Sequence, residues 1–390
     1  MLVALLLSLF VTPLQGENAE NANQRFSYDT EPGGAKCSEQ PFYVSADVAE
    51  GNYNVTVKLG ARNGTSSNTV KAEGRRLMIE KVETARGKFE TRTFTVNVRY
   101  SQIGPGNEVR LKPREIGSPR WDRKLTLEFN GGHPCVASIE IAKAPSAVTV
   151  YLAGDSTVVD QDKEPWAAWG QMLPRFFQAG AAIANHAESG ETLRSFVGEK
   201  RLEKVLSQIR SGDYLFIQFA HNDQKEGGNF ADPFTSYKER LKMFIAETRK
   251  HGATPVLVTS MNRRTFDAAG KITNSLGDYP EAMRQTAREE NVALIDLNAM
   301  SKTLYEAIGE AESRKAFVET PAGTDDTHFN AYGAYELARC VVEGIRANRL
   351  GIAKYLSSDA RPFDPAHPDP VATWSLPASP AATMVTPEGR

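Results

Sequence analysis

The apolar residues of this 390-residue chain change their rhythm once, near Pro145, and that change constrains the fold more than any other feature. Up to Ala144 the period is two. Phe42, Val44, Ala46 and Val48 alternate with other residues, as do Val55, Val57 and Leu59, then Phe94, Val96, Val98 and Tyr100, then Leu125, Leu127 and Phe129. Such alternation marks strands with one buried face, and turn pairs such as Gly51-Asn52 and Asn63-Gly64 separate them. An antiparallel β-sandwich over residues 26–145 is expected. After Pro145, continuous apolar runs at 148–153, 181–184, 214–219, 255–258 and 292–297 alternate with stretches of helical periodicity. Strands covered on both faces read this way, so an α/β domain with a five-stranded parallel sheet between helical layers is expected over 147–356. The predicted helices are 166–178, 193–210, 237–250, 279–290, 299–312 and 331–349. Beyond residue 356, seven of the 21 prolines fall in the last 34 positions, which predicts an extended tail.

Composition narrows the possibilities. A chain that is 41% hydrophobic and 24% charged buries a real core, which excludes intrinsic disorder. Its 46 basic residues balance 48 acidic ones, which argues against a dedicated nucleic-acid binder. The apolar stretch 2–14 is shorter than the ~20 residues that cross a bilayer, and it ends in small and polar residues near Gly16. Residues 1–16 are therefore expected to be a signal peptide for export to the periplasm or the outside, with no inserted membrane span. Of three cysteines, Cys37 and Cys135 are placed to pair in an exported protein, though free thiols at both positions fit the sequence equally well. Cys340 falls on an apolar helical face. No metal or organic cofactor is expected: there is no CxxC or HExxH, and the six histidines are scattered.

Ligands of an open parallel sheet gather beyond the carboxyl ends of its strands, so the residues after each apolar run are the ones to read. The first run leads into Gly154-Asp155-Ser156-Thr157, a serine on a strand-to-helix turn; alone, this is more often a helix cap. The second leads to Glu188-Ser189-Gly190-Glu191, where a glycine lets a backbone N–H approach a ligand. The third leads to Ala220-His221-Asn222-Asp223, and the Asn222 amide can donate to an oxyanion without giving up a proton. Asp325-Asp326-Thr327-His328 precedes the last helix. A serine nucleophile needs a base, and the base needs a carboxylate to fix its tautomer. At a spacing of three in a turn or first helical half-turn, Asp325 is expected to face His328, with Asp326 pointing away.

Taken together, the four blocks resemble those of the SGNH (GDSL) hydrolases, and the strings 153–157 and 325–330 are most similar to rhamnogalacturonan acetylesterases. The resemblance covers about 148–350 and implies a flavodoxin-like, three-layer SGNH hydrolase domain. It assigns Ser156 as nucleophile, His328 as base and Asp325 as its orienter, with the Ser156 and Gly190 N–H groups and the Asn222 amide as oxyanion donors. The sandwich resembles the galactose-binding-like β-domains that accompany such esterases. No GxSxG elbow is present, which excludes the ordinary α/β-hydrolase reading.

The resemblance implies a carbohydrate esterase that removes O-acetyl groups from a plant polysaccharide, with rhamnogalacturonan the first expectation. Acetylxylan or another SGNH esterase, or a polysaccharide-binding protein with a decayed site, are the competing readings. Between Lys58 and Lys124 there are 16 basic residues against seven acidic, which suits a polyanion or else reflects solvated strand faces. Arg263 and Arg264, after the fourth run, and Asp155 are the candidate substrate contacts, with salt bridges the ordinary alternative for the arginines. Trp166 and Trp169, three apart, are expected on one helical face in the core rather than as a sugar platform. The polar, Gly-containing loops 224–232 and 263–274 disfavour long acyl substrates.

Overall fold

The computed structural model describes residues 23–380, so the expected signal peptide lies outside the described residues. Eleven strands precede Pro145: β1 (Gln24–Ser27), β2 (Lys36–Cys37), β3 (Phe42–Asp47), β4 (Gly51–Leu59), β5 (Ser66–Ala72), β6 (Arg76–Thr84), β7 (Glu90–Val98), the short β8 (Gln102–Gly104) and β9 (Asn107–Glu108), β10 (Lys124–His133) and β11 (Cys135–Lys143). Nine of them form two antiparallel sheets, ordered β1-β11-β4-β7 and β3-β10-β5-β6, with β2 added on β11, and β8 and β9 pair only with each other. The period-two positions face one another across the gap. Val55 pairs with Phe94 and Ile141 in one sheet, Leu127 with Val44 and Ala72 in the other, and all are buried. Each such fully buried apolar side chain contributes about 1.5–3 kcal/mol. Cys37 and Cys135 pair across β2 and β11 and are joined by a disulfide, while Cys340 is free and buried.

The parallel sheet contains β12 (Val148–Gly154), β13 (Ala181–Asn185), β14 (Tyr214–Gln218), β15 (Thr254–Val258) and β16 (Ala293–Ile295), in the order β13-β12-β14-β15-β16. This is the flavodoxin-like order, and its switch point lies at β12, between β13 and β14. Alternate residues of β12 serve two cores. Val150 and Leu152 pack with Phe216, Val256 and the last helix, whereas Tyr151 and Ala153 pack with Leu215, Ile217 and Phe244.

Helices flank this sheet: α1 (Trp169–Met172), α2 (Leu193–Gly198), α3 (Arg201–Gln208), α4 (Lys238–Lys250), α5 (Tyr279–Glu290), α6 (Leu297–Ile308), α7 (Glu310–Ser313) and α8 (Ala331–Ala347). Three predicted helices are broken, each for a local reason. The 193–210 helix is interrupted at Lys200, which sits in the left-handed region at φ +62°. Gly309, at φ +87°, ends α6 where 299–312 was expected to continue. The 166–178 helix shrinks to α1 and a 3-10 turn containing Pro174, so Trp166 is not helical and does not share a face with Trp169. Among the described residues no helix is long and apolar enough to cross a membrane.

The sandwich and the parallel sheet meet through buried polar groups. Arg76 Nε lies 3.0 Å from Asp160 Oδ2, and its Nη1 donates to the carbonyls of Asn97 and Ile183. Arg120 Nη1 donates to Glu188 at 3.0 Å, and Arg201 pairs with Glu115 with both side chains fully buried. Part of the local basic excess is internal, because Lys71, Arg76, Arg99 and Arg120 are buried, while nine of the sixteen basic residues stay exposed as the solvated-face reading expects. The proline-rich segment has no helix or strand up to residue 380, yet it is docked: Trp374 packs on Tyr332 and Tyr335, and Lys71 Nζ donates to the Pro377 carbonyl at 2.8 Å.

Candidate active site

Ser156 follows β12 in a turn closed by the Val158 and Val159 N–H groups donating to the Asp155 carbonyl. Its hydroxyl lies 2.8 Å from His328 Nε2, and His328 Nδ1 lies 2.7 Å from Asp325 Oδ2. The histidine and aspartate do not sit in a helical half-turn. They belong to β18 (Gly323–Phe329), which pairs with β17 (Phe317–Thr320), and the pairing skips from Thr324 to Phe329. The extra residues bulge outward around Asp325, whose Oδ1 accepts from the Thr327 and His328 N–H groups at 2.9 and 3.1 Å. This Asx-type turn puts the two side chains on one side, as a regular strand would not. Burial opposes the Asp325 charge, but the His328 ring and the two N–H donors outweigh it and hold its carboxyl down to about 2. Asp326 turns away to Arg264, 3.4 Å from Nη1.

Ser156, His328, Gly190 and Asn222 all line one cleft of about 530 Å³ at the carboxyl ends of β12, β13 and β14. Among the described residues neither the Ser156 nor the Gly190 N–H meets a protein acceptor, so both are available to a ligand. Gly190 needs its missing side chain for backbone reasons: its φ is +84°, and an added Cβ would meet only Lys112 Nζ, at 3.8 Å. Asn222 Nδ2 donates one hydrogen to the Glu191 carbonyl at 3.0 Å, and Lys225 Nζ donates to its Oδ1 at 2.7 Å. These contacts fix which end of the amide is the donor and leave its second N–H for a ligand. Burial pushes the Glu191 carboxyl up to about 7, although Lys112 and Ser195 donate to it.

The expected substrate contacts fare differently. Asp155 does not reach the cleft; it is fully buried, and its Oδ1 accepts from the Thr157 N–H and hydroxyl at 2.9 and 2.7 Å, with His221 3.5 Å from Oδ2. A buried carboxylate must be satisfied internally, and this one is spent on the turn that presents Ser156. Arg263 and Arg264 also lie off the cleft lining. Arg263 donates to Thr327 Oγ1 at 3.0 Å, bracing the β18 bulge, and Arg264 is buried between Asp326 and the Phe266 ring. The basic groups on the cleft are instead Arg114, Arg120, Lys163 and Lys225, and the first two come from the sandwich. Trp166 lines the cleft as well, while Trp169 is fully buried and bonded to Gln218 at 2.8 Å. The sequence carried no signal for these neighbours, because Arg114 and Glu188 meet across 74 positions with no shared motif.

In this geometry a hydroxyl, an imidazole and a carboxylate form a hydrogen-bonded line beside unsatisfied N–H donors, which is what acyl transfer to serine demands. The GDSL-like lipase/acylhydrolase family matches residues 152–335. Rhamnogalacturonan acetylesterase RhgT of Bacillus subtilis (strain 168) is 44% identical over 222 residues, spanning 54% of this chain and 95% of that protein. The uncharacterized esterase YxiM of the same organism is 31% identical over 316 residues, 80% of this chain and 75% of YxiM. The YxiM crystal structure aligns with a TM-score of 0.50 at 24% identity, covering 87% of this chain and 97% of that one, which bears on the fold alone. The chain belongs to the GDSL-like lipase/acylhydrolase family, the SGNH hydrolases. It is a carboxylic ester hydrolase.

Proposed function

We propose that this esterase is exported and removes O-acetyl groups from a plant cell-wall polysaccharide, with rhamnogalacturonan as the substrate. The observation that carries the mechanism is the Ser156–His328–Asp325 line at 2.8 and 2.7 Å, with Ser156 and His328 lining the cleft. Ser156 Oγ attacks the acetyl carbonyl while His328 Nε2 takes its proton, and Asp325 stabilises the imidazolium through Nδ1. The developing oxyanion is held by the Ser156 and Gly190 N–H groups and by the Asn222 amide. As the C–O bond to the sugar breaks, His328 gives its proton to the departing sugar oxygen, which leaves as a hydroxyl; His328 then takes a proton from the water that attacks the acetyl-enzyme and returns it to Ser156 Oγ as acetate leaves.

Three features support the substrate. RhgT is a rhamnogalacturonan acetylesterase by name. The cleft carries Arg114, Lys163 and Lys225, which suit a chain bearing uronate carboxylates. Trp166 offers an indole face for a sugar ring on the same wall. Export agrees with the Cys37–Cys135 disulfide, a bond that persists in oxidising compartments. The test is acetate release from rhamnogalacturonan against acetylated xylan and acetylated homogalacturonan, with Ser156→Ala as the control. A preference for xylan would redirect the substrate, and normal turnover by Ser156→Ala would end the mechanism.

A further inference from the structure

The turn that carries Gly190 is held by the other domain. Residues 188–191 form a four-residue turn closed by the Glu191 N–H donating to the Glu188 carbonyl at 3.2 Å. Ser189 and Gly190 are its central residues, and φ of +84° at the second of them is type II geometry. The central peptide of such a turn has an alternative, type I orientation rotated by about half a turn, and glycine tolerates both. In a trans peptide the C=O and N–H point in opposite directions, so whatever holds the Ser189 oxygen also aims the Gly190 hydrogen. Two cations hold it: Lys112 Nζ donates at 2.8 Å and Arg114 Nη2 at 2.6 Å. Lys112 caps, and Arg114 belongs to, a 3-10 turn of the sandwich, Pro113–Glu115.

The same pair reaches further. Lys112 also contacts the Glu191 carboxylate, and the Glu191 carbonyl is the acceptor that orients the Asn222 amide. Arg114 Nε donates to Glu188 Oε1 at 2.7 Å, fixing the first residue of the turn. The base beneath is rigid: Glu115 accepts from Arg201 of α3 and from Trp121 Nε1. We propose that Lys112 and Arg114 are positioning residues through which the β-sandwich sets the oxyanion hole, holding the Ser189 carbonyl away so that the Gly190 N–H stays aimed into the cleft. The sandwich is then part of the catalytic apparatus. This rests on the donor assignment given under the proposed function.

The experiment is steady-state hydrolysis of p-nitrophenyl acetate, a small neutral ester that needs no polysaccharide contact, by Lys112→Met/Arg114→Met, Arg114→Met and Arg114→Lys in the full chain. The double variant is expected to lose about 10²-fold in kcat, on the scale of one oxyanion donor, with KM within threefold. Phosphonylation of Ser156 by a p-nitrophenyl methylphosphonate is expected to slow by a similar factor, because the phosphoryl oxygen uses the same donors. The pH midpoint of kcat/KM should stay in place, since His328 and Asp325 are untouched. Arg114→Lys should retain most of the activity. Should the double variant fail to fold, Arg114→Met decides, its side chain being half exposed: a fall in kcat of about fivefold or more at constant KM supports the clamp. Unchanged kcat, or a loss confined to KM, overturns it. Ser156→Ala and Asn222→Ala separate the failures, because full activity in both refutes the mechanism and the donor assignment that depends on it, whereas two impaired variants beside normal clamp variants refute only the clamp.

Discussion

The sandwich and the parallel-sheet domain use polar groups for opposite ends. In the parallel-sheet domain the cleft groups sit on loops just after the strands, as Ser156, Gly190 and Asn222 do. In the sandwich the buried ones sit on the outer face of β5 and β6 and on the segment after β9, and they point into the other domain, as Arg76 and Arg120 do. The first arrangement leaves donors unsatisfied for a ligand. The second satisfies them across the interface, with Arg114 half exposed and Arg120 buried where the two line the cleft. A buried ion pair of this kind adds little net stability against an apolar contact, but it fixes register, and register is what a turn such as 188–191 requires.

That contrast can be broken by substitution. If reacting groups belong to one domain alone, Ser156→Ala should lower kcat on p-nitrophenyl acetate by about 10⁶-fold, because members of such a line act as a unit. Asp325→Asn is expected to lose roughly 10³–10⁴-fold through the wrong imidazole tautomer. Asp326→Asn should stay within about threefold, and an equal loss in both would overturn the orientation read from the β18 bulge. Asn222→Ala should cost about 10²–10³-fold in kcat.

On the sandwich side the effects fall on stability. Replacing Cys37 and Cys135 with alanine opens a link spanning 98 residues and should cost about 2–5 kcal/mol in denaturant unfolding, while kcat below the transition stays unchanged. A pH-dependent effect concerns Glu73, whose burial raises its carboxyl from 4.5 to about 8, against the pull of Arg76. A raised acid binds more protons folded than unfolded, so its stabilisation is complete below about 4.5 and is lost as pH climbs through about 8. Melting temperatures measured from pH 5 to 8 should therefore decline, and Glu73→Gln should flatten the decline. An unaltered slope in that variant would assign the effect elsewhere.

Legibility followed the same division. The strands with alternating apolar residues were readable, since pairs such as Val55 and Phe94 face a single core. β5 and β6 were not, because Lys71, Glu73 and Arg76 occupy buried positions where an isolated sandwich would show either apolar or solvated residues. The spacing of Trp166 and Trp169 predicts one helical stripe, but the helix begins only at Trp169, so Trp166 lines the cleft and Trp169 is buried in the core. Arg263 and Arg264 follow the fourth strand as the sequence pattern expects, but their partners, Thr327 and Asp326, hold them at the β18 bulge and off the cleft lining.

By itself the sequence determined the two strand rhythms, the order of the sheet-forming runs and the short blocks that hold Ser156, Gly190, Asn222, Asp325 and His328. These are properties of neighbours along the chain, where side-chain period and loop chemistry act locally. Only the tertiary structure decided that Asp155 supports the nucleophile's turn from within, and that Lys112 and Arg114 grip the peptide ahead of Gly190. Such contacts join residues about 80 positions apart, and their partners are chosen by how two packed domains meet, which no local pattern encodes.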